Sequence, residues 1–352
     1  MSNFKKIGGR YGMHSGSAKF KNLEVDNNLW VSGNSFPVTP GNTWYVDGDV
    51  TSSGRGDSWG TAFATIQEAV TAASAEDTIY VVAKTHTDYT GDPASYAETI
   101  IIPYTTSNLA IIGVSRGRTQ GGLPQIKIGS GSTAMITIRA PGCLIANLGI
   151  NGASSTGGGI LLDDDYATKS AFGTSIIGCH LKNCVGSTAN SAVTGGAIMW
   201  TTAGNAWQVL ISGCRFYKNV ADITLMGTSS TRPQDVVIED CDFSGYAAYT
   251  DCNIFGTGTG SGFGSIKIDN CRFGQLPALG GTNDRYIDLT GTLSGTVTNC
   301  TFGCNTGNTG TTLTFLAAGT AAKIPTTVHI MRCYGQSETA TETGEITIGV
   351  NS

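Results

Sequence analysis

Charge is scarce in this chain. Only 13% of its 352 residues are Asp, Glu, Lys or Arg, and the formal net charge is −5. No basic block occurs, so the electrostatic footprint of a nucleic-acid binder is missing. There is no run of about 18 apolar residues, and no membrane-spanning helix is expected. The start, Met1-Ser-Asn-Phe-Lys-Lys-Ile-Gly-Gly-Arg10, lacks an apolar signal core and a small-residue cleavage site. The expectation is folding in the cytosol, or departure by a route that needs no signal peptide. Histidine is limited to His14, His86, His180 and His329, and no Cys-x-x-Cys is present. That pattern offers no zinc site, and neither a metal nor a cofactor is expected.

What the chain has in quantity is glycine, 49 residues, in company with Thr, Ser and Asn. It also has a motif that returns about every 30 residues, the mark of a repeat architecture. An apolar residue is followed by two corner residues and then by Cys-x-Phe or a near equivalent. It reads Ile111-Ile-Gly-Val114, Ile145-Ala-Asn-Leu-Gly-Ile150, Ile176-Ile-Gly-Cys-His-Leu181 and Ile211-Ser-Gly-Cys-Arg-Phe216. It continues as Ile238-Glu-Asp-Cys-Asp-Phe243, Ile268-Asp-Asn-Cys-Arg-Phe273, Val297-Thr-Asn-Cys-Thr-Phe302 and Ile330-Met-Arg-Cys333.

Upstream of each corner apolar residues alternate, as in Trp207, Val209 and Ile211, which gives a strand with one buried face. The second corner residue is Gly113, Asn147, Gly178, Gly213, Asp240, Asn270 or Asn299, and only Arg332 departs. These residue types tolerate the left-handed backbone region, so one left-handed residue turns the chain at each corner. Further apolar runs between corners, such as Ile160-Leu-Leu162, Ala197-Ile-Met-Trp200 and Leu313-Thr-Phe-Leu316, supply a third strand per repeat. Three strands per turn in register describe an all-β, single-stranded parallel β-helix of about eight coils.

Six cysteines, Cys179, Cys214, Cys241, Cys271, Cys300 and Cys333, share one repeat position. They form a core ladder of reduced thiols, because cysteine packs as a small hydrophobe. The nearest pairs, Cys179 with Cys184 and Cys300 with Cys304, have no histidine partners for a metal.

Residues 44–82 carry a resemblance. Trp44-Tyr-Val-Asp-Gly48, Gly56-Asp-Ser58, Phe63-Ala-Thr-Ile-Gln-Glu-Ala-Val70 and Asp77-Thr-Ile-Tyr-Val-Val82 are similar to the lead-in of right-handed β-helix proteins of the pectate-lyase-like superfamily. The resemblance extends over about residues 44–335 and implies a short capping helix ahead of the first coil. The residues fit that role independently. Thr65-x-x-Glu68 is a capping box, and Ile66, Ala69, Val70 and Ala73 make one apolar helical face. A helix there shields the open end of the solenoid. The chain thus divides into an N-terminal arm at 1–43, a lead-in with capping helix at 44–102, and a β-helix with C-terminal tail at 103–352.

The arm contains two strand-like pieces, Phe20-Lys-Asn-Leu-Glu-Val25 and Asn28-Leu-Trp-Val31. This phrase resembles N-terminal attachment segments of phage structural proteins. It implies an arm that orders against a neighbouring subunit or a virion surface; the plain alternative is a tail with one extra edge strand.

A polysaccharide hydrolase on this scaffold needs two carboxylates about 5–9.5 Å apart on one face. The candidates are Asp163, Asp164, Asp165, Glu239 and Asp242, with Asp222, Asp251 and Asp288 near the middle strands. The Asp triplet ends a strand and opens a loop, which reads as a solvated turn or a cation site ahead of a catalytic role, and Glu239 and Asp240 sit at a corner, where short acids are common. The Gly-His-Gly and Arg-x-Lys motifs of pectin-type hydrolases resembling this fold are absent. His180 and His329 fall at outward or corner-adjacent strand positions, and Lys182, Arg215 and Arg272 alternate outward. Trp200, Tyr246 and Tyr249 are candidate glycan-stacking residues, whereas alternation places Trp207 inside. Arg55-Gly56-Asp57 reads as part of the loop before the capping helix.

Together these features make a virion structural protein the leading expectation: a surface appendage, decoration or tailspike-like subunit. It would be homotrimeric, bound to other virion proteins through 1–43, and in contact with host surface polysaccharide. A tailspike-type depolymerase is the first alternative. An extracellular adhesin or filament subunit is the second.

Overall fold

The structure is a computed structural model. It describes residues 29–31, 34–36, 41–86, 94–115, 117, 122–127, 134–152, 158–166, 169–184, 196–200, 206–227, 233–244, 252–258, 264–274, 285–289, 294–302, 328–336 and 343–345. The chain forms two compact units, Met1–Thr39 and Pro40–Ser352. In the first, Leu29–Val31 pairs antiparallel with Asn34–Phe36. The strand expected at 20–25 lies outside the described residues.

The second unit is a parallel β-helix. Ten strands stack in the first sheet, from Thr43–Val46 and Thr78–Val81 through Ala110–Gly113 to Val328–Met331. The second sheet runs from Ser95–Tyr96 to Tyr334–Gln336 and ends on the antiparallel strand Thr343–Glu345. Among the described residues the third has seven strands, from Ile100–Ile102 to Arg285–Asp288. The chain visits the three sheets in turn, so each strand pairs with its counterpart one coil away. Ile145, for example, lies in register with Ile111 on one side and Ile176 on the other. The eight repeats supply eight strands of the first sheet from Ala110–Gly113 onward, and six of these coils run through all three sheets among the described residues, fewer than the eight full coils expected. The third-sheet strand expected at 313–316 lies outside the described residues.

Period-two alternation becomes columns of like residues. Ile79, Ile111, Ile145, Ile176, Ile211, Ile238, Ile268 and Val297 form one fully buried column. Leu181, Phe216, Phe243, Phe273 and Phe302 form another. Its rings stack at 4.8, 4.6 and 4.8 Å and lie within 8° of parallel. That spacing is the rise between paired strands, so in-register pairing places each ring against the next. Each stacked pair adds about 0.5–1.5 kcal/mol to the burial of its rings.

Between these columns runs the thiol column. Cys179, Cys214, Cys241, Cys271, Cys300 and Cys333 are free and buried. Cys214 and Cys333 donate from Sγ to Ile176 and Val297 carbonyls one coil earlier, each at 3.5 Å.

The corner before the thiol column is left-handed at Asn147, Gly178, Gly213, Asp240, Asn270 and Asn299, with φ between 49° and 62°. Arg332, the residue that breaks the sequence pattern, adopts the same conformation at 53°. Gly113 does not. It ends the strand Ala110–Gly113 without a positive φ. A Cβ there would collide with the Asn147 carbonyl oxygen, so close backbone approach, not handedness, requires glycine at this site.

A second left-handed corner, between the third and first sheets, is unannounced by the repeat motif. It comprises Glu76, Asn108, Gly142, Gly173, Gln208 and Asp235, with φ between 52° and 70°. The amides of Glu76, Asn108, Gly142, Gly173 and Gln208 donate to the next coil, as in Gly173 N to Trp207 O at 2.8 Å.

The capping helix α1 spans Ile66–Ala72 and buries Ile66, Ala69 and Val70. Its capping box is complete: Thr65 accepts from the Glu68 amide, and Glu68 accepts from the Thr65 amide at 3.1 Å. Glu98 adds a second cap, accepting from Ile66 N and Gln67 N at 2.8 Å each. The helix also finishes the sheet beneath it. Gln67 Oε1 accepts from Ile101 N at 2.7 Å, satisfying an amide on the outermost strand of the third sheet.

Candidate functional site

The candidate carboxylates whose side chains are described stand on three different faces. Asp163 follows the third-sheet strand Ile160–Leu162, Glu239 ends a first-sheet strand, and Asp242 opens a second-sheet strand across the Asp240 corner. Each is tied to a base. Asp163 Oδ2 lies 3.0 Å from Arg139 Nε. Glu239 lies 3.7 Å from Lys267 Nζ, which also reaches Asp269 at 3.1 Å. Asp242 bridges Arg215 at 3.3 Å and Arg272 at 2.9 Å, one coil on either side. These half-exposed pairs contribute about 0–1 kcal/mol each. Their geometry is that of clamps between coils, and these three carboxylates lie on different faces.

Asp269 belongs to the same pattern. It is in register with Glu239 and accepts from Thr298 Oγ1 at 2.7 Å and Asn299 Nδ2 at 2.8 Å. Those hydrogen bonds, with Lys267 beside them, hold its carboxyl down to about 2. Asp164 and Asp165 lie in the short strand Asp164–Tyr166, which pairs antiparallel with Lys169–Ser170. That places the triplet at a small hairpin leaving the third sheet.

The aromatic expectations invert. Trp200 is fully buried, and its indole N–H donates to the Ala206 carbonyl at 2.8 Å, so it offers no platform to a sugar. Every residue of its strand, Gly196–Trp200, is buried, because both faces of the third sheet are covered at this level. Trp207 is 36% exposed and packs against Phe172 with ring centroids 6.0 Å apart. The left-handed Gln208 resets the alternation that appeared to place Trp207 inside. Tyr246 and Tyr249 lie outside the described residues. His180 and Lys182, expected outward, are buried as well; alternation gives the side of the sheet but not whether chain covers it. His329 is exposed. Arg55 and Asp57 pair with each other at 3.0 Å around Gly56 at φ 76°, which makes Arg55-Gly56-Asp57 a closed loop.

The most unusual polar cluster lies in the third sheet. Asp222 is buried and accepts from Asn219 Nδ2 at 2.8 Å and Asn253 Nδ2 at 2.6 Å. Burial pushes its carboxyl up to about 7, against the opposing pull of both amides. Its sequence neighbours signal only a middle strand; nothing in the pattern announces the cluster. Among the described residues no three His, Cys, Asp or Glu side chains gather around a metal position, and no helix is long and apolar enough to cross a membrane.

Fold and surface together define a parallel β-helix protein preceded by a separate small N-terminal unit. No protein-family model and no curated protein matches the sequence. Among solved structures it is similar to a pectin methylesterase from Aspergillus niger, at 17% identity over 90% of this chain and 93% of the other, TM-score 0.48. It is also similar to pectate lyase Pel9A, at 13% identity over 84% and 77% of the two chains, TM-score 0.49. Geobacillus virus E2 ORF18 matches at 11% identity over 88% and 66%, TM-score 0.38.

Proposed function

We propose that this chain is a structural protein of a virus particle, a β-helical appendage or tailspike-like subunit that meets host surface polysaccharide. Residues 1–43 would join it to other particle proteins and to further copies of itself, as a homotrimer. The observation that carries this reading is the use made of outward charge. The described candidate carboxylates Asp163, Glu239 and Asp242 are each paired with a basic side chain, and they are spread over three faces. Such an arrangement supports a stiff, coil-clamped rod better than a hydrolytic centre. The separate unit at Met1–Thr39 supports a division between attachment and presentation.

The test is location. Antibody against the purified protein should decorate intact particles from producing cells, and the chain should co-purify with them in fixed stoichiometry. Its absence from purified particles would overturn the reading. Purified protein applied to capsulated cells should leave their capsule intact, and clearing would favour the depolymerase instead.

A further inference from the structure

We propose that in the native protein Asp222 holds a proton on Oδ2 in mildly acidic surroundings, up to near neutrality, and that Asn253 responds to its loss, making the third sheet a proton-sensitive element. The hydrogen-bond network fixes the side of the carboxyl on which the proton sits. Asn219 is fully buried and its amide cannot turn. Its Oδ1 accepts from Cys184 N at 3.0 Å, while its Nδ2 donates to the Leu181 carbonyl at 3.1 Å and to Asp222 Oδ1 at 2.8 Å. Reversing that amide would set Nδ2 against the Cys184 N–H. Asp222 Oδ1 is therefore an acceptor, and any proton resides on Oδ2.

Oδ2 faces the side-chain amide of Asn253 at 2.6 Å. The Asn253 amide is also the one whose orientation nothing fixes. Its other atom, Oδ1 as placed, is buried with no partner among the described residues. Exchange of the two amide atoms is a matter of assignment from the network, and here the network permits both. With the amide turned, Asp222 Oδ2–H donates to Asn253 Oδ1. With Asp222 ionised, Asn253 Nδ2 donates instead. The two orientations are the two states of the switch.

Among the described residues no basic group is found to compensate the charge. Asp222 is shifted by its burial and by the two amides, although Lys182 ends the strand His180–Lys182 and Lys218 occupies a neighbouring left-handed corner. The titratable neighbour is Cys184, which its own burial pushes up to about 12 and so keeps neutral. A buried carboxylate with amide donors alone is costly to ionise, and the proton removes that cost.

The direction of the pH effect follows. The unfolded carboxyl titrates near its ordinary 3.8 and the folded one at about 7. Stability from this group is complete below the unfolded value, declines as pH rises between the two, and levels off above the folded value. The three coils joined by Leu181, Asn219 with Asp222, and Asn253 should therefore hold more tightly in mildly acidic surroundings.

The experiment compares the full-length protein with Asp222→Asn, which mimics the neutral carboxyl. At pH 6, unfolding of the wild type should release about one proton more than unfolding of the variant. Infrared difference spectra of the native wild type between pH 5 and 8.5 should show loss of a neutral-carboxyl C=O band that the variant lacks. Equal proton release, or the same band in both proteins, would overturn the proposal. If Asp222→Asn does not fold, Asn253→Ala serves: the wild-type carboxyl band should move on loss of its acceptor, and an unmoved band would overturn the proposal.

Discussion

Asn270 donates its side-chain amide to the Asp240 carboxylate at 2.6 Å, joining the corner of one coil to the corner of the next. Both residues have left-handed backbones, at φ 49° and 54°. Their short polar side chains thus serve twice: they make the turn tolerable, and they tie adjacent turns together.

The corners allow handedness to be separated from space. A Cβ at Gly213 would meet nothing closer than Gly178 N at 3.9 Å, so Gly213→Ala tests φ alone and should cost about 1 kcal/mol. Gly213→Val and Asn270→Val force a β-branched residue to positive φ and should each cost about 1–3 kcal/mol. Gly113→Ala should cost more than Gly213→Ala despite its ordinary φ, because its Cβ strikes the Asn147 carbonyl. Urea unfolding of the four variants measures the order; equal losses at Gly113 and Gly213 would contradict the distinction.

Much of this was legible in the residues. The Asn, Gly and Asp at one fixed point announced the first corner, and Cys-x-Phe announced two adjacent interior columns. The second corner was not legible, since Glu76, Gln208 and Asp235 take positive φ without a glycine to mark them. That hidden turn also sets the side of Trp207, which follows the left-handed Gln208 and not a count back from Ile211. Trp200 departs from expectation for a different reason. A continuous apolar run says that a strand is buried on both faces, and Ala197-Ile-Met-Trp200 was such a run. The candidate carboxylates were visible as residues, but their pairing was not, because Arg139 with Asp163 and Arg215 with Asp242 depend on stacking across coils.

Phe243 stands between Phe216 and Phe273, at 4.8 and 4.6 Å. Phe243→Ala removes a ring from the middle of a continuous stack and leaves a cavity that the paired strands cannot close. It should cost about 3–5 kcal/mol in chemical denaturation. Phe243→Leu should cost less, since Leu181 already occupies this column in register with Phe216. A small loss for alanine would mean that the column contributes little to holding the coils.

The thiols should be silent until the protein unfolds. Among the described residues eight cysteines are free and buried. Burial pushes Cys143 and Cys184 up to about 12, while hydrogen bonds with Cys241 and Cys300 pull Cys271 down to about 5 and leave burial alone to shield it. The thiolate is the reactive form, so a buried, protonated thiol resists an aqueous reagent. Titration of the native protein should label no more than Cys252 and Cys304, the two of the ten not among those eight. Denaturant should expose the rest. Prompt labelling of the native protein would contradict the packed thiol column.

Removal of the first unit should separate folding from attachment. Pro40–Ser352 carries its own capping helix, with a complete capping box and the added Glu98 cap, and its columns of core residues are continuous from Ile79 onward. A chain beginning at Pro40 should therefore melt cooperatively, within a few degrees of the full-length protein, as followed by circular dichroism. What it should lose is incorporation into particles, because a short arm gains most of its order from a partner surface. Light scattering before and after truncation reports self-association, and quantifying the truncated chain in purified particles reports attachment. An unfolded truncation product would make the arm part of the solenoid's stability. A folded product that still incorporates at the full-length level would move the contact to the solenoid flank or to residues after Cys333, and the proposed role of 1–43 would fall.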